Sequence, residues 1–92
     1  MKIKTYKLTI YGKVQGVCYR DWFLNEANKL NITGYVKNLK NDNLVEALVQ
    51  GNIESIKEIM KLSKIGPKMA KVKKILIDEE LESKKYQIFQ IK

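Results

Sequence analysis

The stretch KTYKLTIYGKVQGVCYRDW, residues 4–22, joins a strand pattern to the start of a helix through a loop bounded by two glycines. In its first half, apolar and polar side chains alternate, which predicts a half-buried strand over residues 4–12. The apolar side chains on the buried side are Tyr6, Leu8 and Ile10, and the polar ones on the other side are Thr5, Lys7 and Thr9. The loop GKVQGV, residues 12–17, follows directly. The stretch therefore predicts a strand–loop–helix unit.

Two helices follow from the spacing of apolar residues. The first is predicted from Arg20 to Leu30, with Asp21 in the first turn, where the helix dipole favours an anion. Its apolar face consists of Phe23, Ala27 and Leu30, and NITG, residues 31–34, ends it. The second helix is predicted after Asn52, whose side chain suits the N-cap position. Its apolar stripe consists of Ile53, Ile56, Ile59 and Met60, its C-terminal end carries Lys61 and Lys64, and GP at residues 66–67 stops it.

The remaining elements are predicted to be strands. GYVKNLK at residues 34–40 and LVEALVQ at residues 44–50 predict a hairpin joined by the turn KNDN at residues 40–43. A fourth strand is predicted over residues 70–80 and a short last strand over residues 86–92. The order is therefore βαββαβ with a terminal strand added.

This order of elements predicts the fold. Two helices cannot cover both faces of such a sheet, so one helical layer should pack on one face. The split βαβ arrangement satisfies the order with right-handed crossovers. We therefore expect an α+β fold, the ferredoxin-like sandwich, with both helices on one face of an antiparallel sheet and a short additional C-terminal strand.

Length and composition predict a small cytoplasmic domain. The 92 residues suffice for one modest core, so residues 1–92 should form a single domain. No apolar run approaches the roughly 20 residues of a membrane span. Cys18 is the sole cysteine in the sequence, which rules out an intramolecular disulfide and favours a reducing compartment. The net charge of +8 comes from lysines scattered along the chain, and we interpret it chiefly as a solvated surface.

The composition also limits the chemistry available to an enzyme. The sequence contains no histidine, the usual general base and the commonest metal ligand. Its carboxylates are best interpreted as surface charges, and Cys18, with no histidine to activate it, as an inert thiol. An enzyme with this composition would act by positioning and electrostatics on a substrate that is already reactive, without a metal.

Arg20 is the sole arginine among eighteen basic residues, and it follows the glycine loop. The loop can present successive backbone N–H groups to an anion and leads into a helix N-terminus, which favours phosphate. A guanidinium can hold two phosphate oxygens at once, whereas lysine acts as a point charge. The alternative is that the glycines only form a turn and Arg20 is a surface cation; the spacing alone does not decide between the two.

The segments YGKVQGVCYR and GYVKN together resemble the two signatures of the acylphosphatases, small ferredoxin-like enzymes that hydrolyse the carboxyl-phosphate bond of acyl phosphates. VEALVQG and GPKMAKV extend the resemblance over nearly the whole chain. It implies that the loop cradles the phosphate, that Arg20 binds it, and that Asn38, by its local pattern an exposed strand residue, holds the attacking water. The implied phosphate-binding residues are Gly12, Val14, Gln15, Gly16, Val17, Cys18, Tyr19 and Arg20.

The resemblance also implies the ligands. The substrate would be a small acyl phosphate, inorganic phosphate would be both product and inhibitor, and no cofactor would be needed. Nucleic acid and membrane are not expected partners, and we expect a monomer. Two positions depart from the family: Tyr19 replaces phenylalanine or methionine, and Asn43 replaces the hairpin glycine, with one extra residue before Val45.

Three alternatives remain open from the sequence. An RNA-binding module of the RRM type shares this fold, but NLVEALVQ lacks the aromatic residues on which RNA bases stack. An acylphosphatase-like domain could instead handle carbamoyl phosphate, as in the hydrogenase maturation carbamoyltransferases. The third alternative is a catalytically silent anion sensor, which the presence of both Arg20 and Asn38 disfavours.

Overall fold

The computed structural model describes residues 2–40 and 43–92. The elements follow in the predicted order: β1 Ile3–Lys13, α1 Tyr19–Lys29, β2 Thr33–Asn38, β3 Leu44–Asn52, α2 Ile53–Ser63, β4 Lys71–Glu79 and β5 Phe89–Ile91. The middle of the predicted 40–43 turn, including Asp42, lies outside the described residues. The predicted βαββαβ order with a terminal strand is therefore confirmed.

The five strands form one sheet in the order β4-β1-β3-β2-β5. All neighbours are antiparallel except β5, which runs parallel to β2. The buried core lies between the sheet and the two helices, so the helices share one face, as the ferredoxin-like prediction requires. Phe23 of α1 stacks on Phe89 of β5, with ring centroids 5.6 Å apart, and so fastens α1 to the strand at the edge of the sheet. In α2, Ile56 and Ile59 are fully buried.

Several element boundaries differ from the predicted ones. Helix α1 starts one residue earlier, at Tyr19, and β2 ends at Asn38 rather than at residue 40. Strand β1 continues through Lys13, so the loop begins at Val14 and not at residue 12. The last strand is much shorter than the predicted 86–92. Tyr86, where the strand was predicted to start, is not part of the sheet ladder. Its backbone N–H donates instead to the Gln50 side chain at 2.9 Å.

Gln50 also explains why Thr5 is buried although the alternation placed it on the polar side of β1. The face of the sheet opposite the helices, here called the open face, carries both residues. The Gln50 Nε2 donates to Thr5 Oγ1 at 3.0 Å and to the carbonyl of Lys84 at 3.0 Å. The chain after β4 therefore crosses the open face at this point and covers it.

Candidate active site

The loop from Val14 to Cys18 turns sharply into α1 at the end of the molecule where β1 and β2 finish. Gly16 has φ +73°, and Cys18, the residue before the helix, has φ 64° and ψ 25°. Gly16 meets the need for a left-handed conformation without strain, whereas Cys18 adopts it at a cost of about 1–3 kcal/mol. Such successive turns point neighbouring backbone N–H groups toward one place.

Helix α1 begins without a side-chain cap, in contrast to α2. Asn52 accepts a hydrogen bond from the backbone N–H of Ser55 at 2.9 Å, which confirms the predicted N-cap of α2. No side chain caps α1, and within residues 2–40 and 43–92 no acceptor meets the backbone N–H groups of residues 16–21. Losing a cap costs about 1 kcal/mol. The loop and first turn of α1 therefore form a set of donors suited to an anion.

A pocket of about 370 Å³ opens beside these donors. It is lined by Val14, Gly16, Cys18, Tyr19, Arg20, Asp21, Asn38 and Ile91. Arg20 is half-buried, and its guanidinium makes no ion pair with any carboxylate that the structure describes. The structure thus leaves this guanidinium available to an anionic ligand.

Asn38 lies on the inner face of the sheet, in register with the fully buried Val45. This position corrects the exposed strand residue that its local pattern suggested. Its Oδ1 is buried and accepts no hydrogen bond from the described part of the chain. Leaving a buried acceptor unsatisfied costs about 1–3 kcal/mol. Asn38 thus brings to the pocket an amide group whose oxygen has no partner in the described part of the chain.

Gln15 connects the loop to the hairpin that carries Asn38. Its Nε2 donates to the carbonyl of Leu39 at 3.1 Å and to the carbonyl of Leu44 at 2.8 Å. Leu39 directly follows Asn38, and its own N–H donates to the Leu44 carbonyl at 3.1 Å. The Gln15 side chain thus fixes the separation between the loop and the strand end where Asn38 lies.

Tyr19 anchors the start of α1 to the end of α2. Its side chain is 1% exposed, and its hydroxyl donates to the carbonyl of Ser63 at 2.7 Å. Burial raises the pKa of the Tyr19 phenol, so the hydroxyl stays protonated as this hydrogen bond requires. The hydroxyl that distinguishes this position from the family pattern therefore has a structural partner.

Gly12 lies within β1 and not in the phosphate-binding loop where the sequence analysis placed it. It lies in β1 at a register shift against β4, with φ +138°, and a side chain there would collide with the backbone carbonyl of Lys71. Gly12 and Gln15 line a separate cavity of about 390 Å³, and Val17 packs against the core. The structure brings Val14, Gly16, Cys18, Tyr19, Arg20 and Asn38 together around the pocket, but not Gly12, Gln15 or Val17.

Two residues of the pocket were not anticipated from the sequence. Ile91 comes from β5, at the far end of the chain, and Asp21 from the first turn of α1. The sequence explains Asp21 only through the helix dipole, and no local pattern singles out Ile91. Cys18 lies exposed at the pocket, and its inertness stays a prediction.

The described residues provide neither a cluster of metal-binding side chains nor a membrane-spanning helix. Over residues 2–40 and 43–92 there is no group of three or more His, Cys, Asp or Glu side chains that could hold a metal ion. None of the described helices is long and apolar enough to cross a membrane.

The chain is similar to known proteins over nearly its whole length. The family model described as Acylphosphatase matches residues 6–91. An acylphosphatase from Bordetella parapertussis is 36% identical over 87 residues, which cover 95% of this chain and 92% of that protein. The structure of an acylphosphatase from Coxiella burnetii superposes with a TM-score of 0.91 at 31% identity, covering 98% of this chain and 93% of that one. HypF from T. kodakarensis has a TM-score of 0.84 at 32% identity, covering 97% of this chain and 12% of that one.

Proposed function

The chain belongs to the acylphosphatase family and has acylphosphatase function, and from this we propose how its residues hydrolyse acyl phosphates. The phosphoryl group is held by the loop and by Arg20, and Asn38 orients the attacking water. One observation carries the proposal: the uncapped start of α1, the Arg20 side chain and the Asn38 side chain line one pocket.

Binding of the phosphoryl group uses the backbone and Arg20 together. Backbone N–H groups of residues 16–21 donate to the phosphoryl oxygens, and the helix dipole adds a favourable field. The Arg20 guanidinium donates two parallel hydrogen bonds to the same group. In the transition state, negative charge is spread over the three equatorial oxygens, where these donors stabilise it.

Water is held by Asn38. The Asn38 amide group contacts the water and orients it so that a lone pair of the water attacks phosphorus in line. The bond between phosphorus and the acyl oxygen breaks, and the carboxylate leaves without needing a strong acid. The water's proton passes to the bound phosphoryl group itself, so neither histidine nor a metal is required.

We expect hydrolysis to be independent of added metal ions. The pocket supplies its positive charge through Arg20 and backbone donors, so exhaustive chelation should leave the rate unchanged. The measurement is hydrolysis of acetyl, carbamoyl and benzoyl phosphate before and after treatment with EDTA. A large loss that a divalent ion restores would contradict the mechanism, and inactivity toward all three acyl phosphates would contradict the proposed function.

Gln15 provides a second test, because it acts on Asn38 through the hairpin. Gln15→Ala removes the hydrogen bonds to the Leu39 and Leu44 carbonyls, each worth about 0.5–1.5 kcal/mol, and so loosens the hairpin from the loop. We expect kcat to fall roughly 10-fold, with a smaller change in the inhibition constant for phosphate. Gln15→Glu should be worse, because a carboxylate cannot donate and would face two carbonyl oxygens.

The control for this test is Gln87→Ala, because Gln87 is an exposed glutamine outside the pocket. Both kcat and the midpoint of thermal unfolding are measured for each variant. Equal kcat for Gln15→Ala and the unsubstituted enzyme, with folding intact, would show that the hairpin does not depend on this side chain.

Five further properties complete the proposal. Residues 1–92 act as a single domain, and one chain supplies the whole pocket, so a monomer suffices for catalysis. Inorganic phosphate, the product, inhibits by occupying the same donors, and nucleic acid is not a partner. The cytoplasm is the proposed location, supported by the single cysteine of the sequence, which is free in the structure.

A further inference from the structure

The outer edge of β4 combines exposed apolar residues with an unused row of backbone groups. Within the described sheet, β4 pairs with β1 on one side and ends the strand order on the other. Leu76 is 46% exposed and Ile77 is 43% exposed. Met69, just before β4, and Leu81, just after it, are also exposed large apolar residues. An edge strand of this kind is a template for pairing with another strand.

Charge is distributed unequally along β4. Its first half carries Lys71, Lys73 and Lys74, and its end carries Asp78 and Glu79. The register against β1 shifts near Lys73, so the regular part of the strand runs from Lys74 to Glu79. This part is therefore basic at its start, apolar in its middle and acidic at its end.

We propose that this edge pairs antiparallel with the same edge of a second copy of the chain, about a two-fold axis at Leu76. A two-fold axis normal to the sheet preserves the two faces, so paired residues must point to the same side. With the axis at Leu76, that residue meets its own copy, and Ile75 faces Ile77 of the second copy. Lys74 then faces Asp78 of the second copy, and the same contact recurs by symmetry.

The charges favour a second copy over an unrelated strand. Lysines on an edge strand ordinarily discourage pairing. Here an antiparallel copy places an acidic residue opposite Lys74, and Asp78 makes no ion pair with the residues that the structure describes. Lys74 lies over the ring of Tyr11, with its Nζ 4.6 Å from the centroid, on the same face as Asp78. A parallel copy would instead place like charges side by side.

The pairing leaves the candidate active site open. The pocket is lined by the loop, α1, β2 and β5, and β5 forms the edge of the sheet opposite to β4. Each chain therefore keeps a complete pocket in the dimer. Five paired residues in each chain give an interface below about 1,200 Å², the class of weak complexes. We expect a dissociation constant on the order of 100 μM at low salt.

Sedimentation equilibrium at increasing protein concentration tests the proposal with a charge swap. We expect reversible dimers for the unsubstituted protein, and at least a 10-fold weaker association for Lys74→Asp or Asp78→Lys alone. An equimolar mixture of Lys74→Asp and Asp78→Lys should associate again, because opposite charges then face each other. The variant that carries both substitutions should associate for the same reason. Leu76→Lys should abolish association by placing two ammonium groups at the axis.

Both charge variants lie on an exposed strand, and circular dichroism and acyl phosphate hydrolysis show whether each has folded. A monomer at all concentrations would overturn the proposal. So would association that is equally strong in both single variants, since that would assign the contact to another surface.

Discussion

Replacing Arg20 with lysine should lower kcat/KM for an acyl phosphate about 10²-fold, although the charge is retained. The loss expected is about 3 kcal/mol, comparable to removing one donor from an oxyanion hole. Lysine cannot supply two parallel hydrogen bonds in a fixed plane, and Arg20 has no described carboxylate partner that would hold it for another purpose. Arg20→Ala should lose more, and it should weaken inhibition by phosphate as well.

The measurement is kcat/KM for acetyl phosphate in the three proteins, with Lys85→Ala as the matched control. Lys85 is an exposed cation outside the pocket, and its removal should leave the rate nearly intact. If Arg20→Lys keeps the activity of the unsubstituted enzyme, charge alone suffices and the proposed bidentate contact is wrong.

Asn38→Ala should reduce kcat about 10²-fold while the inhibition constant for phosphate changes little. In the proposed mechanism, the Asn38 amide contacts the water, so its contribution appears mainly in the transition state. Asn38→Asp should be still less active, because a carboxylate beside the bound phosphoryl group repels it and cannot donate a hydrogen bond. The roles of Asn38 and Arg20 are thus distinguished by the inhibition constant for phosphate, which Arg20→Ala should change and Asn38→Ala should not.

This prediction requires the rate and the phosphate inhibition constant for each variant, with folding confirmed by circular dichroism. If Asn38→Ala loses phosphate affinity as severely as Arg20→Ala, Asn38 is a phosphate ligand. If the variant loses neither rate nor affinity, the second half of the site has been assigned wrongly.

The fold was predictable because its determinants are local. Alternation of apolar residues defines β1, helical spacing defines α1, and the Asn52 cap defines the start of α2. One boundary that differs, the start of the last strand, has a tertiary cause. Residue 86 looks like part of a strand, but its N–H is used by Gln50, a residue distant in sequence.

The site was predictable in part. Arg20 was distinguished by composition and position, whereas its proximity to Asn38 depends on how the sheet and α1 meet. The role of Gln15 was hidden for the same reason, since its acceptors are on the hairpin. The sequence pattern suggests that Gly12 is a loop glycine, but the close approach of β4, which no sequence pattern reveals, explains why glycine is needed there.

Backbone amide chemical shifts during a titration with inorganic phosphate test the proposed anion site most directly. We expect the largest shifts at the N–H groups of residues 16–21, because these donors have no acceptor in the described structure. The same titration of Arg20→Ala should need at least 10-fold more phosphate, and that of Asn38→Ala should resemble the unsubstituted protein. Shifts centred elsewhere, or shifts at these amides that are unchanged in Arg20→Ala, would contradict the assignment of the loop and Arg20 as the phosphate site.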